Sequence, residues 1–371
     1  MTITPEQVTS PRPDGEPDPE AGSGGPDGPG GGRERWRVFG FVALCVVCVA
    51  VAVGYVAHTD GRGARKLSAS GAVAAGAPSA TSLMAQPHLL VRDMAAGQAG
   101  YAGVLSLSNT GSTRAVTDLA CARLYMVAGN GICLSDHGDI INPYKAVFFG
   151  PNFQVRAEKS LAGVPSRARV SADGRYGSST VFVTGDSYAP GSFSTRTTIW
   201  DMASGSEIVN LEDFSVWKDG RQLQSPDHNF WGVTFDPADS NHFFATLGTK
   251  GHTYLVDGDV AARKVNVLRD GVECPSVSPD GKRIAFKQRT SAGGADLPTW
   301  QLAVLDLATL HDHPLAETRN VDDQAEWLDN STLAYAVDTG VGAPSIYATP
   351  ADGTGTPRLL VADADSPSVA R

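Results

Sequence analysis

Clustered basic residues are the first thing this 371-residue sequence lacks. Its 30 Lys and Arg are outnumbered by 40 Asp and Glu, leaving a formal net charge of −10. Binding a phosphate backbone needs grouped cations, so no nucleic-acid partner is expected. Amphipathic helices are scarce too: from Pro87 onward no stretch keeps an apolar stripe for three turns. Cysteine is rare, and its one Cys-x-x-Cys, Cys45 to Cys48, sits inside an apolar run. There the thiols are small hydrophobes or at most lipidation sites, so no zinc or redox signature remains. Of the other three, Cys121 and Cys133 could bridge neighbouring strands outside the cytoplasm. A turn at Ala128-Gly129-Asn130-Gly131 would set Cys133 opposite Met126, and a bridge to Cys121 would then need a bulge.

What the chain has instead is turn chemistry. Gly and Pro number 41 and 23, which suits short strands better than long helices. Residues 1–32 are Pro, Gly, Asp and Glu with almost no large apolar side chain. Such a segment cannot offset its ordering entropy by burial, so it is expected to be disordered. Residues 33–57 join a basic flank, Arg33 to Arg37, to an uncharged run from Val38 to Ala57. About 20 apolar residues match a hydrocarbon core, and Trp36 and Tyr55 stand where interfacial aromatics belong. The expectation is a single membrane-spanning helix. A cleaved signal peptide is the competitor, disfavoured by the run's length and the long tail before it. Residues 58–86 then form an Ala, Gly and Ser-rich stalk, and 87–371 the folded domain.

The domain is organised around Cys274 to Phe286, C-P-S-V-S-P-D-G-K-R-I-A-F, a hairpin whose turn is Ser278-Pro279-Asp280-Gly281. Partial copies occur at Arg169 to Gly174, Val233 to Asp239 and Glu326 to Tyr335. A second signal, an apolar strand ending in a polar turn, recurs at Ile199 to Gly205 and Val304 to Thr309. Five units begin near Cys121, Arg167, Trp231, Val272 and Asp323. A sixth, from His88 to Val116, has later strands and no first one. The chain supplies that piece at its end, where Ser366 to Ala370 resembles Cys274 to Ser278. The expected fold is all-β: a six-bladed β-propeller of about 47 residues per blade, its first blade closed by residues 366–370.

The run Val277-Ser278-Pro279-Asp280-Gly281-Lys282-Arg283-Ile284-Ala285-Phe286 resembles the repeat of TolB-like propeller proteins. The whole layout is similar to TolB-like, single-span membrane proteins of high-GC actinobacteria. The resemblance covers roughly Pro87 to Arg371 and implies a propeller outside the cytoplasmic membrane, used as a binding platform. The second blade departs most, with Gly129-Asn130-Gly131 in place of Ser-Pro-Asp-Gly. The separate α/β domain of TolB has no counterpart, so a Tol–Pal role does not carry over, and no catalytic residue does.

Several motifs mimic chemistry. Gly185-Asp186-Ser187-Tyr188-Ala189-Pro190-Gly191 fits the block of GDSL-type esterases, and Asp239 and His242 supply an Asp-x-x-His. That chemistry needs an α/β scaffold holding nucleophile and oriented base together, so a blade loop is the better reading. No Gly-x-Ser-x-Gly marks a peptidase partner domain. His311-Asp312-His313 places two imidazoles on one side of a strand without a third ligand. Asp257-Gly258-Asp259 and Asp363-Ala364-Asp365 lack a calcium-loop register. No catalytic, cofactor-binding or metal residue is therefore assigned.

Two functions remain. One is a membrane-anchored, extracytoplasmic propeller that binds or scaffolds a protein or glycan at the cell envelope, with its N-terminus cytoplasmic. Its recognition loops would be Gly185 to Arg196, Phe214 to Asn229 and Arg289 to Trp300, with Phe214, Trp217, Phe230, Trp231 and Trp300 as aromatic contacts. The other is a propeller hydrolase or lyase with a site at the central channel. Carboxylates and imidazoles with perturbed pKa values at the channel mouth would mark the enzyme; a mixed polar funnel would mark the scaffold.

Overall fold

The computed structural model describes residues 79–183, 194–290 and 299–371. The tail, the apolar segment and residues 58–78 of the stalk lie outside the described residues. So does the Gly185 to Gly191 block. Among the described residues no helix is long and apolar enough to cross a membrane.

Six sheets, antiparallel except for one added strand in blade four, make the domain. Blade two runs Arg123–Val127, Asn130–Ser135, Lys145–Phe149 and Val155–Ser160 from the axis outward. Blade three starts at Val164–Val170, blade four at Asn229–Phe235, blade five at Glu273–Val277 and blade six at Glu326–Trp327. In blade one the innermost strand is the C-terminal Ala364–Ala370, paired antiparallel with His88–Asp93. Leu90 faces Ser368 across this seam, and Arg92 Nε donates to Asp365 Oδ1 at 2.7 Å. The circle thus closes with the strand expected for it. Each of the six blades therefore has its inner strand.

Closure is visible in the packing as well. Each blade shares one apolar core with each neighbour, six cores in all. Blade six meets blade one through Leu89, Val91, Leu105, Ile346 and Val369. Leu90 turns the other way, into the core with blade two. Successive side chains of a strand point to opposite faces, and here both faces are covered. That is why these strands read as unbroken apolar runs rather than alternating ones.

The lower face, where the inner strands end, carries the repeated turns. In blades three and five the wiring is the same: Ser171 Oγ donates to Asp173 at 2.6 Å, and Ser278 Oγ donates to Asp280 at 2.5 Å. Each serine then accepts the N–H that opens the next strand, from Tyr176 and Arg283 respectively. A short helix, Ala80–Met84, precedes blade one, capped by Ser79 and packed through Leu83 and Met84 on the core between blades one and two.

Three sequence expectations need correction or refinement. The blade-two hairpin turns on Ala128 and Gly129, both at positive φ, so Val127 pairs with Asn130 and Cys133 lies opposite Leu124 rather than Met126. Two residues at positive φ match the hairpin's twist and set this register. Cys121, in the connection before that strand, reaches Cys133 as a disulfide with Cα atoms 5.4 Å apart. Finally, much of the Phe214 to Asn229 insert is sheet: Ser215–Lys218 pairs parallel with the outer strand of blade four and continues into Arg221–Gln222.

Candidate functional site

The inner strands do not run straight to the upper face. Near their starts, register shifts interrupt the pairing in blades one, four and five, at Ser366, Gly232 and Cys274, each with positive φ. Gly232 has no alternative: a Cβ there would stand 2.7 Å from the Cα of Cys274. These kinks end regular pairing and re-aim the side chains at the ring centre.

Below the kinks the axis is filled. Arg169 Nη1 lies 2.8 Å from Glu326 Oε2, with the Arg169 guanidinium 4.5 Å above the Tyr125 ring. Tyr125 donates its hydroxyl to Glu326 at 3.0 Å, and Arg169 donates to the Ala325 carbonyl at 2.7 Å. Gln324 donates to the carbonyls of Gly232, Val233 and Pro275, while Ser368 bonds the backbone of Met126. All six blades meet in this plug. Burial raises the pKa of Glu326, and the Arg169 charge opposes the rise. Burial followed by the Glu326 charge raises the Tyr125 phenol. A buried pair so fully hydrogen-bonded is a fixed strut.

Above the plug a cavity of about 1320 Å³ opens at the upper face over blades two to six. One wall is a relay of alternating charge. Arg167 lies 3.6 Å from Asp322, Lys287 pairs with the same carboxylate, and Lys287 also approaches Glu273 at 3.8 Å. Lys287 stands 4.2 Å from the Trp300 ring centre. Burial would raise Asp322, but Lys287 and Arg167 hold it below the usual carboxylate range. On the opposite wall Asp227 accepts from Ser225 (2.5 Å), Thr249 (2.6 Å) and the Lys250 N–H (2.7 Å). Partial burial works against it, yet those bonds carry Asp227 down to about 2. Glu212 differs. Burial lifts it to about 7, although the Thr197 N–H reaches both its oxygens at 3.1 Å. Burial also lowers His228.

Among the described lining residues Lys and Arg outnumber Asp and Glu by six to five. Among the described residues, Arg167 Nε, His228 Nε2 and Trp300 Nε1 are buried nitrogens without a hydrogen-bond partner, and all three line the cavity. Buried polar atoms are rarely left so unless something else satisfies them.

The sequence candidates scatter. Trp231 and Trp300 line the cavity. Phe214 and Phe230 are core residues of blade four, and Trp217 lies at its outer edge under Lys264. Asp239 and His242, 3.7 Å apart, occupy a lower-face turn, whereas the strand ends flanking the Gly185 block, Val183 and Ser194, are on the upper face. His313 bonds the Ala351 carbonyl, and Asp312 pairs with Arg269. Asp365 belongs to the closing seam, and Asp259 caps a turn at Ala262. Among the described residues no three His, Cys, Asp or Glu side chains gather as a metal site. Arg123, Arg167, Glu212, Lys287 and Asp322 escape sequence reasoning, because nothing in their local spacing sets them apart. His228, by contrast, lies in the Phe214 to Asn229 insert expected to carry recognition.

Neither protein-family models nor curated protein sequences match the chain. Solved structures do. TolB from Acinetobacter baumannii superposes with a TM-score of 0.54 at 14% identity, over 77% of this chain and 66% of that one. The chain therefore spans just under two thirds of that protein. A chain of a nidogen/laminin complex gives a TM-score of 0.50 at 12% identity, over 77% of this chain and 98% of that one. A putative TolB from Agrobacterium tumefaciens gives 0.47 at 10% identity, over 74% and 88%. At such identities the likeness is one of fold: a six-bladed propeller of TolB type.

Proposed function

We propose that this chain is a membrane-anchored, extracytoplasmic propeller that works as a binding module, with its ligand seated in the upper-face cavity. The observation that carries the reading is an open, donor-rich cavity above an axis closed by a rigid strut. A ligand can enter and be held there but not pass through. The uncharged run from Val38 to Ala57 supplies the anchor, and the Cys121–Cys133 disulfide suits an oxidising compartment. The lower-face turns, repeated from blade to blade, serve the frame, and the irregular upper face serves recognition.

A hydrolase or lyase is the second reading, and one observation favours it. Glu212, raised to about 7 by burial in the cavity wall, has the pKa a general acid needs. Among the described lining residues the other carboxylates, Asp227, Asp270, Glu273 and Asp322, are each paired with protein donors.

Reporter fusions test the placement. Alkaline phosphatase joined after Arg371 should be active and a cytoplasmic fluorescent reporter there dark; the reverse pattern would put the cavity inside the cell and end the reading. For the second reading, Glu212→Gln should leave ligand affinity measurable in a binding module, whereas an enzyme would lose turnover of any substrate found.

A further inference from the structure

What the cavity wall omits narrows its ligand. Among the described lining residues there is no Leu, Ile, Val or Met side chain. A peptide is usually gripped through aliphatic and aromatic side chains in apolar pockets, and the apolar side chains among the described lining residues are Phe182, two indoles and two prolines. The wall offers hydroxyl and amide groups, such as Ser194, Thr195, Ser225 and Asn229, together with two indoles. That mixture suits the alternating hydroxyl and C–H faces of a sugar ring.

The charges narrow it further. Six Lys and Arg line the cavity against five Asp and Glu. The carboxylates are already engaged: Asp227 by Ser225, Thr249 and the Lys250 N–H, Asp322 by Arg167 and Lys287, Glu273 by Lys287, Asp270 by His252, and Glu212 by the Thr197 N–H. Two nitrogens that can only donate are left over, Arg167 Nε and Trp300 Nε1. Arg289, well exposed, approaches Glu273 only at 4.0 Å and has donors to spare. With one more cation than carboxylate among the described lining residues and two donor nitrogens unpaired, the site favours a ligand that brings acceptors.

We infer that the upper-face cavity is a receptor for an acidic oligosaccharide, a short glycan bearing carboxylate or phosphate groups. The inference rests on the binding-module reading above and supplies its ligand class. The anionic group meets the Arg167 and Lys287 wall, and a sugar ring lies beside Trp300. The plug beneath means the glycan lies across the mouth or ends in it.

Full-length protein in lipid nanodiscs can be titrated calorimetrically with trigalacturonate, a phosphorylated maltotriose, neutral maltotriose and a hexaglutamate peptide. One of the two acidic sugars should bind at least about tenfold more tightly than maltotriose or hexaglutamate, weakening as salt rises. Which of the two binds better identifies the anion. Arg167→Gln should cost about tenfold or more. Should that variant fold poorly, Trp300→Phe keeps a ring, removes one N–H donor and should cost severalfold. Arg175→Gln, on the lower face, should leave affinity unchanged. Tighter binding of hexaglutamate would overturn the glycan assignment while leaving a binding module standing. Equal binding of maltotriose, no binding by any probe, or acidic-sugar binding indifferent to both Arg167→Gln and Trp300→Phe would overturn it as well. The binding-module reading fails separately, through the reporter fusions.

Discussion

On the lower face, Asp280, Asp201 and Asp306 each accept a side-chain hydroxyl and backbone N–H groups within a single turn. The hydroxyls of Ser278, Ser204 and Thr309 are the largest influence, and they hold these carboxyls below their usual range. On the upper face, Glu212 is lifted to about 7 by burial, and the fully bonded Glu326 beneath it is also raised. The same chemical group is thus used locally, near water and within one turn, at the bottom. At the top Glu212 and Glu326 serve between blades and out of water, while Asp227 is held low by hydroxyls as the lower aspartates are. The lower face teaches how the ring is punctuated, and the upper face where it can discriminate.

The comparison is broken most drastically by removing Ala364–Arg371. That takes the inner strand from blade one and opens the core it shares with blade six. Cooperative melting by circular dichroism should be lost, and a melt like that of the intact protein would show that the ring does not depend on this seam.

Next in size is the strut. Arg169→Met leaves Glu326 buried without its charge partner, which costs about 3–5 kcal/mol in denaturant unfolding. A cost within ~1 kcal/mol would mean that the plug is incidental.

Glu212 and the lower aspartates should then separate by pH. A carboxyl raised in the folded state binds protons that the unfolded chain has released. Stability is therefore lost as pH rises from the unfolded value of 4.5 through about 7. A shift of that size corresponds to at most about 3 kcal/mol. Glu212→Gln should be more stable than the parent at about pH 8 and indistinguishable at about pH 4. Equal melting of the two proteins at the higher pH would deny Glu212 its raised value. The smallest effect is expected from Asp280→Ala. Its depressed carboxyl adds stability above the unfolded pKa that disappears as pH falls through the folded one. The substitution should cost about 1 kcal/mol near neutrality, less in acid, and nothing in ligand affinity.

The frame was legible because its signals are short-range. Ser278-Pro279-Asp280-Gly281 declares a turn within four residues, and Ser366 to Ala370 declares a first strand by likeness to Cys274 to Ser278. Local spacing alone misplaces the blade-two register, because a turn set one residue late slides the pairing by two. The positive φ of Ala128, an uncommon residue there, is not announced by its type. Trp231 and Trp300 were singled out as aromatics, but Phe214 and Phe230 looked equally eligible until packing sorted core from cavity.

Turn residues, strand runs and the split first blade are properties of neighbouring residues, so the sequence alone determined the number of blades and how the circle shuts. The cavity is made by residues as far apart as Arg123 and Asp322, each indistinguishable from an ordinary surface charge until six blades converge. Whether Glu212 is a solvated acid or one held near neutrality depends on which strands bury it. Burial and unsatisfied donors are set by distance in space, and only the folded ring decides that.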